Sequence, residues 1–359
     1  MLYEEIYLLK SRPATGPLTS ERDRLVMAMD TVASDNPRQR ATEKALALFA
    51  LPFNDLLYKA HEVYRRYWDV NTIQLSTLLS IKTGGCGEDC KYCGQSRHYN
   101  TSVDVTQLME LADIHAAACQ AKASGARRFC MGAAWRALPD KHLEEIISII
   151  KSIKKEGLET CVTLGLLTAA QAKLLKEAGL DYYNHNIDSS ENYYSKIVST
   201  RTFHERLQSL QNAHAAGLKV CSGGIIGMGE SRTDRAAMLA TLASLQPPPE
   251  SVPINMLIPI AGTPFADIER IKPLELVRTV AVTRLLIPGA QVRLSAGRAV
   301  LSDEAQALCF FAGANSLFYG DRLLTTDNST ENKDQMLFAE LGLRPGQTEE
   351  RATSYINSS

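Results

Sequence analysis

The sequence predicts a parallel α/β fold, a (β/α)8 barrel of the TIM type with a helical extension before it, on three observations. Eight short segments rich in β-branched and aromatic residues recur along the chain. Between them lie segments whose apolar residues repeat at spacings of three and four, the period of a helix that packs one face on a sheet. Glycine closes several of these helix-like segments just before the next strand, where a left-handed residue ends a helix. A doubly wound open sheet shows the same alternation, and the count of eight strands is what points to the barrel.

Residues 1–41 contain Pro13, Gly16, Pro17 and Pro37 among many polar side chains and read as a poorly ordered extension. A helical stretch follows over 42–67, with apolar positions at Leu46, Phe49, Leu56, Leu57, Tyr58 and Val63, and Pro52 divides it in two. Strands are expected at 73–81, 128–133, 160–164, 182–187, 219–226, 252–258, 292–296 and 316–319. One helix between them shows Leu143, Ile146, Ile147, Ile150 and Ile153. Others carry Leu174, Leu175 and Ala178, then Leu207, Leu210 and Ala213, then Met238, Leu239 and Leu242. Gly125, Gly157, Gly179 and Gly217 are the expected C-caps. The barrel unit is thus 42–345, with 346–359 as a tail.

At 359 residues the chain can bury a barrel-sized core, and 45% hydrophobic with 22% charged residues is ordinary for a globular protein. A balance of 39 basic against 40 acidic residues gives no electrostatic footprint for nucleic acid or a membrane surface. No apolar run approaches the ~18 residues of a membrane span. Glu4, Glu5, Glu21 and Asp23 argue against a secretory or transit peptide. Eight cysteines in that setting point to thiols that bind metal or do chemistry, and a cytoplasmic enzyme is the expectation.

Three of those cysteines, Cys86, Cys90 and Cys93, fall within one short loop as C-x3-C-x2-C, with no fourth Cys or His nearby. A structural zinc takes four protein ligands, and an iron–sulfur cubane usually takes four cysteines. Three thiolates suggest a cubane with one iron open to a substrate or cofactor; a zinc loop, or three unrelated thiols, is the alternative. Cys130, Cys161 and Cys221 recur on expected strands. Each alone reads as a small buried hydrophobe, but at matching positions on the second, third and fifth strands they could converge on a second metal centre. Cys119 and Cys309 read as packing. The small residues Met131-Gly132-Ala133-Ala134 let backbone approach a ligand. In Asn184-His185-Asn186-Ile187-Asp188, alternation turns Asn184, Asn186 and Asp188 to one face, where Asn186 and Asp188 could bond ribose hydroxyls. His185 then faces outward, in a structural or surface role. The glycine-rich 223–230 follows a strand but lacks the spacing of a dinucleotide fingerprint.

Tyr92, just before the third cysteine, completes a C-x3-C-x-aromatic-C signature that resembles that of the radical S-adenosylmethionine (radical SAM) enzymes. Over about 53–344 the chain resembles the biotin synthase family, through 76–83, the cysteine loop, 129–135, 160–165, 182–188, 220–230, 252–257, 292–297, 309–320 and 323–326. The resemblance implies that Cys86, Cys90 and Cys93 hold a [4Fe–4S] cluster that binds S-adenosylmethionine. It implies a [2Fe–2S] cluster on Cys130, Cys161, Cys221 and Arg293, although Arg293 by itself reads as an anion clamp or salt bridge. Arg298 reads as structural or carboxylate-binding. Asn186 and Asp188 would contact ribose, and Tyr92 would belong to the cofactor pocket. Gly223, Gly227 and Glu230 match the adenine-side glycine motif, and Asn255 would lie against dethiobiotin.

The implied reaction inserts sulfur between two unactivated carbons of dethiobiotin. Neither C–H bond is acidic, so a radical is required and the cofactors supply it. The same resemblance implies a homodimer, iron–sulfur assembly machinery, and an electron donor such as flavodoxin or ferredoxin. Gly87 and Gly94 depart from the family pattern, where proline often follows the first and third cysteines, and glycine loosens the backbone there. The rivals are another radical SAM barrel enzyme, which need not carry the second ligand set, and a non-catalytic zinc or iron–sulfur protein, which needs no ribose-facing polar row.

Overall fold

A computed structural model describes residues 37–346. The architecture described is that of the unit that begins at residue 41. Of the expected extension over 1–41, only 37–41 fall within the described residues, and they begin helix α1 (Pro37–Ala50). Proline is accepted in a first helical turn, where its missing N–H would have no partner. Pro52 ends the stretch as expected, and α2 (Phe53–Tyr67) follows.

Eight parallel staves close a barrel. They are β1 (Thr72–Lys82), β2 (Arg128–Ala133), β3 (Glu159–Thr163), β4 (Tyr182–Asn184), a fifth stave made of β5 (Lys219–Cys221) and β6 (Gly224–Ile226), then β7 (Ser251–Met256), β8 (Gln291–Leu294) and β9 (Ser316–Phe318). Closure is made by β1 pairing with β9, from Gln74 opposite Ser316 to Ser76 opposite Phe318. A two-residue strand, β10 (Arg344–Pro345), adds to the start of β1. The barrel expectation is thereby confirmed and the open sheet set aside.

Two staves differ from expectation. The fifth is split at Ser222–Gly223, where it passes Pro253 in β7. Proline has no N–H to give a ladder, and Gly223 approaches so closely that an added Cβ would stand 1.8 Å from the Pro253 carbonyl oxygen. The fourth ends at Asn184 by ladder geometry, yet His185 and Ile187 still donate to the carbonyls of Cys221 and Gly223, at 3.0 Å each.

The outer layer comprises α3 (Leu111–Ala123), α4 (Leu143–Lys155), α5 (Ala169–Glu177), the short α6 (Glu191–Tyr194), α7 (Phe203–Ala215), α8 (Arg232–Ala243), α9 (Pro273–Leu286), α10 (Asp303–Phe311) and α11 (Glu331–Leu341). Of the stripe expected on α4, Ile146, Ile150 and Ile153 are buried, Leu143 and Ile147 are only partly buried, and Ile149, outside that stripe, is buried as well. Leu174, expected to pack, is instead exposed. Gly125, Gly157, Gly179 and Gly217 all take positive φ at helix ends. Capping boxes at Thr168, Thr202 and Ser231 fix the starts of α5, α7 and α8. The main core lies between barrel and helices, and a smaller cluster of Cys130, Cys161, Tyr182, Cys221, Phe318 and Leu323 fills the barrel interior. No helix among the described residues is long and apolar enough to cross a membrane.

Candidate active site

The cysteine loop leaves the C-terminal end of β1, where reactive groups of parallel barrels gather. It turns through Gly84 and Gly85, whose φ of 68° and 66° would strain other residues. Cys86 N–H donates to the Gln95 carbonyl at 2.8 Å, and Arg97 N–H donates back to Cys86 at 2.9 Å. Asp89 anchors the loop to the segment after α6, accepting from the backbone N–H groups of Ser199 (2.8 Å) and Thr200 (3.1 Å) and from both hydroxyls. Burial opposes its charge, but these bonds outweigh it and bring its pKa down to about 2. Buried Glu88 pairs with Arg136 at 3.2 Å and bonds the Thr200 hydroxyl. Gly87 and Gly94 both lie outside the positive-φ region, and the loop between them is tied down through Glu88 and Asp89.

The three loop thiols fit a metal cluster in their chemistry. Burial pushes Cys90 up to about 12, pushes Cys93 up to about 11, and raises Cys86. Such thiols stay protonated until a cation replaces the proton, which is the exchange that cluster assembly performs.

Cys130 and Cys161 sit opposite each other in the β2–β3 ladder. Cys161 hydrogen-bonds both Cys130 and Cys221, so the structure gathers all three strand cysteines inside the barrel. Those bonds, with burial behind them, raise the Cys161 thiol. The Cys161 bond lowers Cys221; burial opposes this, and the Arg293 charge adds to it. Asn184 Nδ2 also donates to Cys221 Sγ, at 3.2 Å.

Arg293 on β8 is fully buried. Its Nε donates to Ser316 Oγ at 3.0 Å, and its Nη2 donates to Ser76 Oγ at 3.1 Å and Gln74 Oε1 at 3.3 Å. No carboxylate pairs with it among the described residues. Its partners are thus neutral, and three thiolates with bound metal sulfide would place negative charge beside it. Arg128 lies at the same level, 3.5 Å from the Tyr182 ring centroid and bonded to Glu159 and Gln291.

After β4 the chain reaches Asp188, which takes φ 64°. Its Oδ2 accepts from the Tyr92 hydroxyl at 2.8 Å and from buried Arg206 on α7. Arg206 also donates to the Asn186 carbonyl and to Tyr194 Oη (2.6 Å). Asp188 thus ties the cysteine loop to the fourth stave. Asn186 Oδ1 accepts from Gly223 N–H at 3.1 Å, and Asn255 bridges Gly224 O (3.1 Å) and Ala296 N–H (3.2 Å). Glu230 turns back on its own loop, accepting from Gly227 (3.0 Å) and Met228 (2.7 Å) and pairing with Arg235 at 3.0 Å. Burial raises its pKa against those bonds.

A cavity of about 250 Å³ opens between these groups, and its lining includes Tyr92, Cys93, Cys130, Cys161, Asn186, Asp188, Asn255 and Arg293. Cys86, Cys90, Cys221, Gly223, Gly227 and Glu230 are not among its lining residues. His185 is not at the surface: it is buried beside Tyr183, and burial together with Arg206 and Arg201 lowers its pKa well below the usual value. The space expected beside Gly132 is filled, since a Cβ there would meet Leu324 Cδ2 at 2.6 Å. Arg298 is structural, held by Asp334 at 2.6 and 2.7 Å. Sequence reasoning missed Arg206, whose signal was a cation between Phe203 and Leu210 on the apolar face of α7.

A closed parallel barrel with this loop at the end of its first stave is the architecture of a radical SAM enzyme, and residues 80–242 match the Radical SAM superfamily model. Residues 253–344 match the Biotin and Thiamin Synthesis associated domain. Biotin synthase of Legionella pneumophila (strain Lens) is 56% identical over 310 residues, covering 86% of this chain and 98% of that protein. Biotin synthase of Methylococcus capsulatus is 58% identical over 301 residues, covering 84% and 92%. The chain belongs to the biotin synthase family. Among solved structures, methylornithine synthase superposes with a TM-score of 0.71 at 18% identity, covering 87% of this chain and 98% of that one. The FeFe-hydrogenase maturase of Carboxydothermus hydrogenoformans gives 0.75 at 18%, covering 90% and 80%. At that identity the likeness is one of fold.

Proposed function

We propose that this chain forms biotin by inserting sulfur into dethiobiotin, using two iron–sulfur centres in one barrel. The observation that carries the reading is a single cavity lined both by Cys93 of the loop and by Cys130, Cys161 and Arg293 of the interior. Cys86, Cys90 and Cys93 would hold a [4Fe–4S] cluster, and Cys130, Cys161, Cys221 and Arg293 a [2Fe–2S] cluster. When bound, the first supplies a 5′-deoxyadenosyl radical from S-adenosylmethionine and the second supplies the sulfur.

The chain's own residues orient, neutralise and exclude water. Both protein bonds to Asp188 fall on Oδ2, so Oδ1 is the oxygen proposed to accept from a ribose hydroxyl. Asn186 spends Oδ1 on Gly223, and its Nδ2 is proposed as the neighbouring donor. Asn255, fixed from two sides, is the proposed contact to dethiobiotin. Leu78, Ile225, Met256, Leu257, Ile260 and Phe318 make much of the wall apolar, which keeps solvent from a carbon radical. The homodimer, a flavodoxin or ferredoxin electron donor, iron–sulfur assembly partners and a cytoplasmic setting belong to the same reading, supported by the family and by eight free cysteines. Residues 42–345 are the proposed catalytic unit.

The test is anaerobic turnover with dethiobiotin, S-adenosylmethionine and a reductant, scored for biotin. Release of 5′-deoxyadenosine with dethiobiotin left intact, on protein loaded with both clusters, would assign the chain to another radical SAM reaction.

A further inference from the structure

We propose that His115, Cys119 and Glu156 form a divalent-metal site of the zinc type in the outer helix layer, apart from the cavity. His115 and Cys119 stand four residues apart on α3, hence one turn apart on one face. Glu156 is the C-cap residue of the neighbouring α4. His115 Nε2 lies 3.1 Å from Glu156 Oε1 and 4.0 Å from Cys119 Sγ, and one donor atom from each residue falls within 4.8 Å of the others. With zinc–nitrogen bonds of about 2.0 Å and zinc–sulfur bonds of about 2.3 Å, tetrahedral donors stand roughly 3.3–3.8 Å apart. Movements of about an ångström therefore complete the site.

The donor types select the metal. Imidazole, thiolate and carboxylate together suit zinc and its neighbours, whereas magnesium and calcium take oxygen ligands. Three protein ligands leave a fourth position for water. The side chains of His115 and Glu156 are 38% and 28% exposed, which gives an ion an entry path. Lys122 approaches the other carboxylate oxygen, Oε2, at 4.0 Å and leaves Oε1 to the site. Binding would release the Cys119 thiol proton and clip α3 to the end of α4, so that the metal stabilises the folded chain by mass action.

The test uses protein loaded with both clusters, equilibrated anaerobically with zinc in a chelator buffer. Expected are one zinc per chain at unchanged iron content, a zinc-edge X-ray absorption shell with a single sulfur, and a raised melting temperature. Cys119→Ala and Glu156→Gln should each weaken zinc binding roughly tenfold or more and lose the melting shift, with biotin formation unchanged. Zinc uptake unaltered in Cys119→Ala, a shell with two or more sulfurs (metal in the cluster cysteines), or no bound zinc would each overturn the proposal.

Discussion

Changing Asp188 to Asn tests the link between the cysteine loop and the fourth stave. Asn is chosen because Asp188 holds φ 64°, a conformation Asn also tolerates, whereas Ala would add backbone strain. The carboxylate and the Arg206 side chain are 2% and 5% exposed, so Asp188→Asn strands a guanidinium in a dry site. Breaking one side of a buried pair costs about 3–5 kcal/mol. Arg206 keeps Tyr194 Oη and the Asn186 carbonyl, and the Asn side-chain oxygen can still accept from Tyr92. The loss should therefore fall at the low end, about 3 kcal/mol. The assay is urea denaturation of the cluster-free chain. A double variant, Asp188→Asn with Arg206→Met, should lose less than the sum of the two singles, because no lone charge remains. A single-variant loss below about 0.5 kcal/mol, the usual range for surface changes, or strict additivity in the double, would refute the reasoning.

The remaining predictions concern the loop and the split stave. The folded-state pKa of Asp89, about 2, lies below its ordinary 3.8. Its stabilisation is thus complete above 3.8 and lost as pH falls through about 2. The stability gap between wild type and Asp89→Asn should close over that window in acid denaturation, and a constant gap would remove the anchor. Gly87→Ala should change stability by less than ~1 kcal/mol, since an added Cβ meets only Arg136 Cβ at 3.9 Å. Gly223→Ala should cost about 3 kcal/mol, the upper end for overpacking, as β7 is pushed away from the 1.8 Å clash. Equal denaturation midpoints for these two variants would contradict the packing described.

The barrel was legible because strand and helix periods are local properties, and all eight staves fall on segments whose β-rich composition marks them. The split at Ser222–Gly223 was not, because it arises from Pro253 on another stave. The cysteine loop was legible in its spacing. The convergence of Cys130, Cys161 and Cys221 could be foreseen only once their strands were aligned side by side. Arg293 alone gave no sign of a ligand role, which came from family resemblance. The contacts of Asp188 with Tyr92, and of Asp89 with Ser199 and Thr200, join positions about a hundred residues apart, and no local pattern announces such pairs. His185 faces away from the barrel interior, but outward in a barrel means toward packed helices as often as toward water.

The central claim is that two separate centres share one cavity, and Cys161→Ala tests it most directly. Cys161 bonds Cys130 and Cys221 and lies away from the first loop. The account predicts that the anaerobically reconstituted variant keeps the [4Fe–4S] spectrum, binds S-adenosylmethionine, and makes no biotin. If Cys161 were only a packed thiol, its loss would cost ~1 kcal/mol of stability and leave turnover intact. Substantial biotin formation by folded Cys161→Ala protein would contradict the two-centre account.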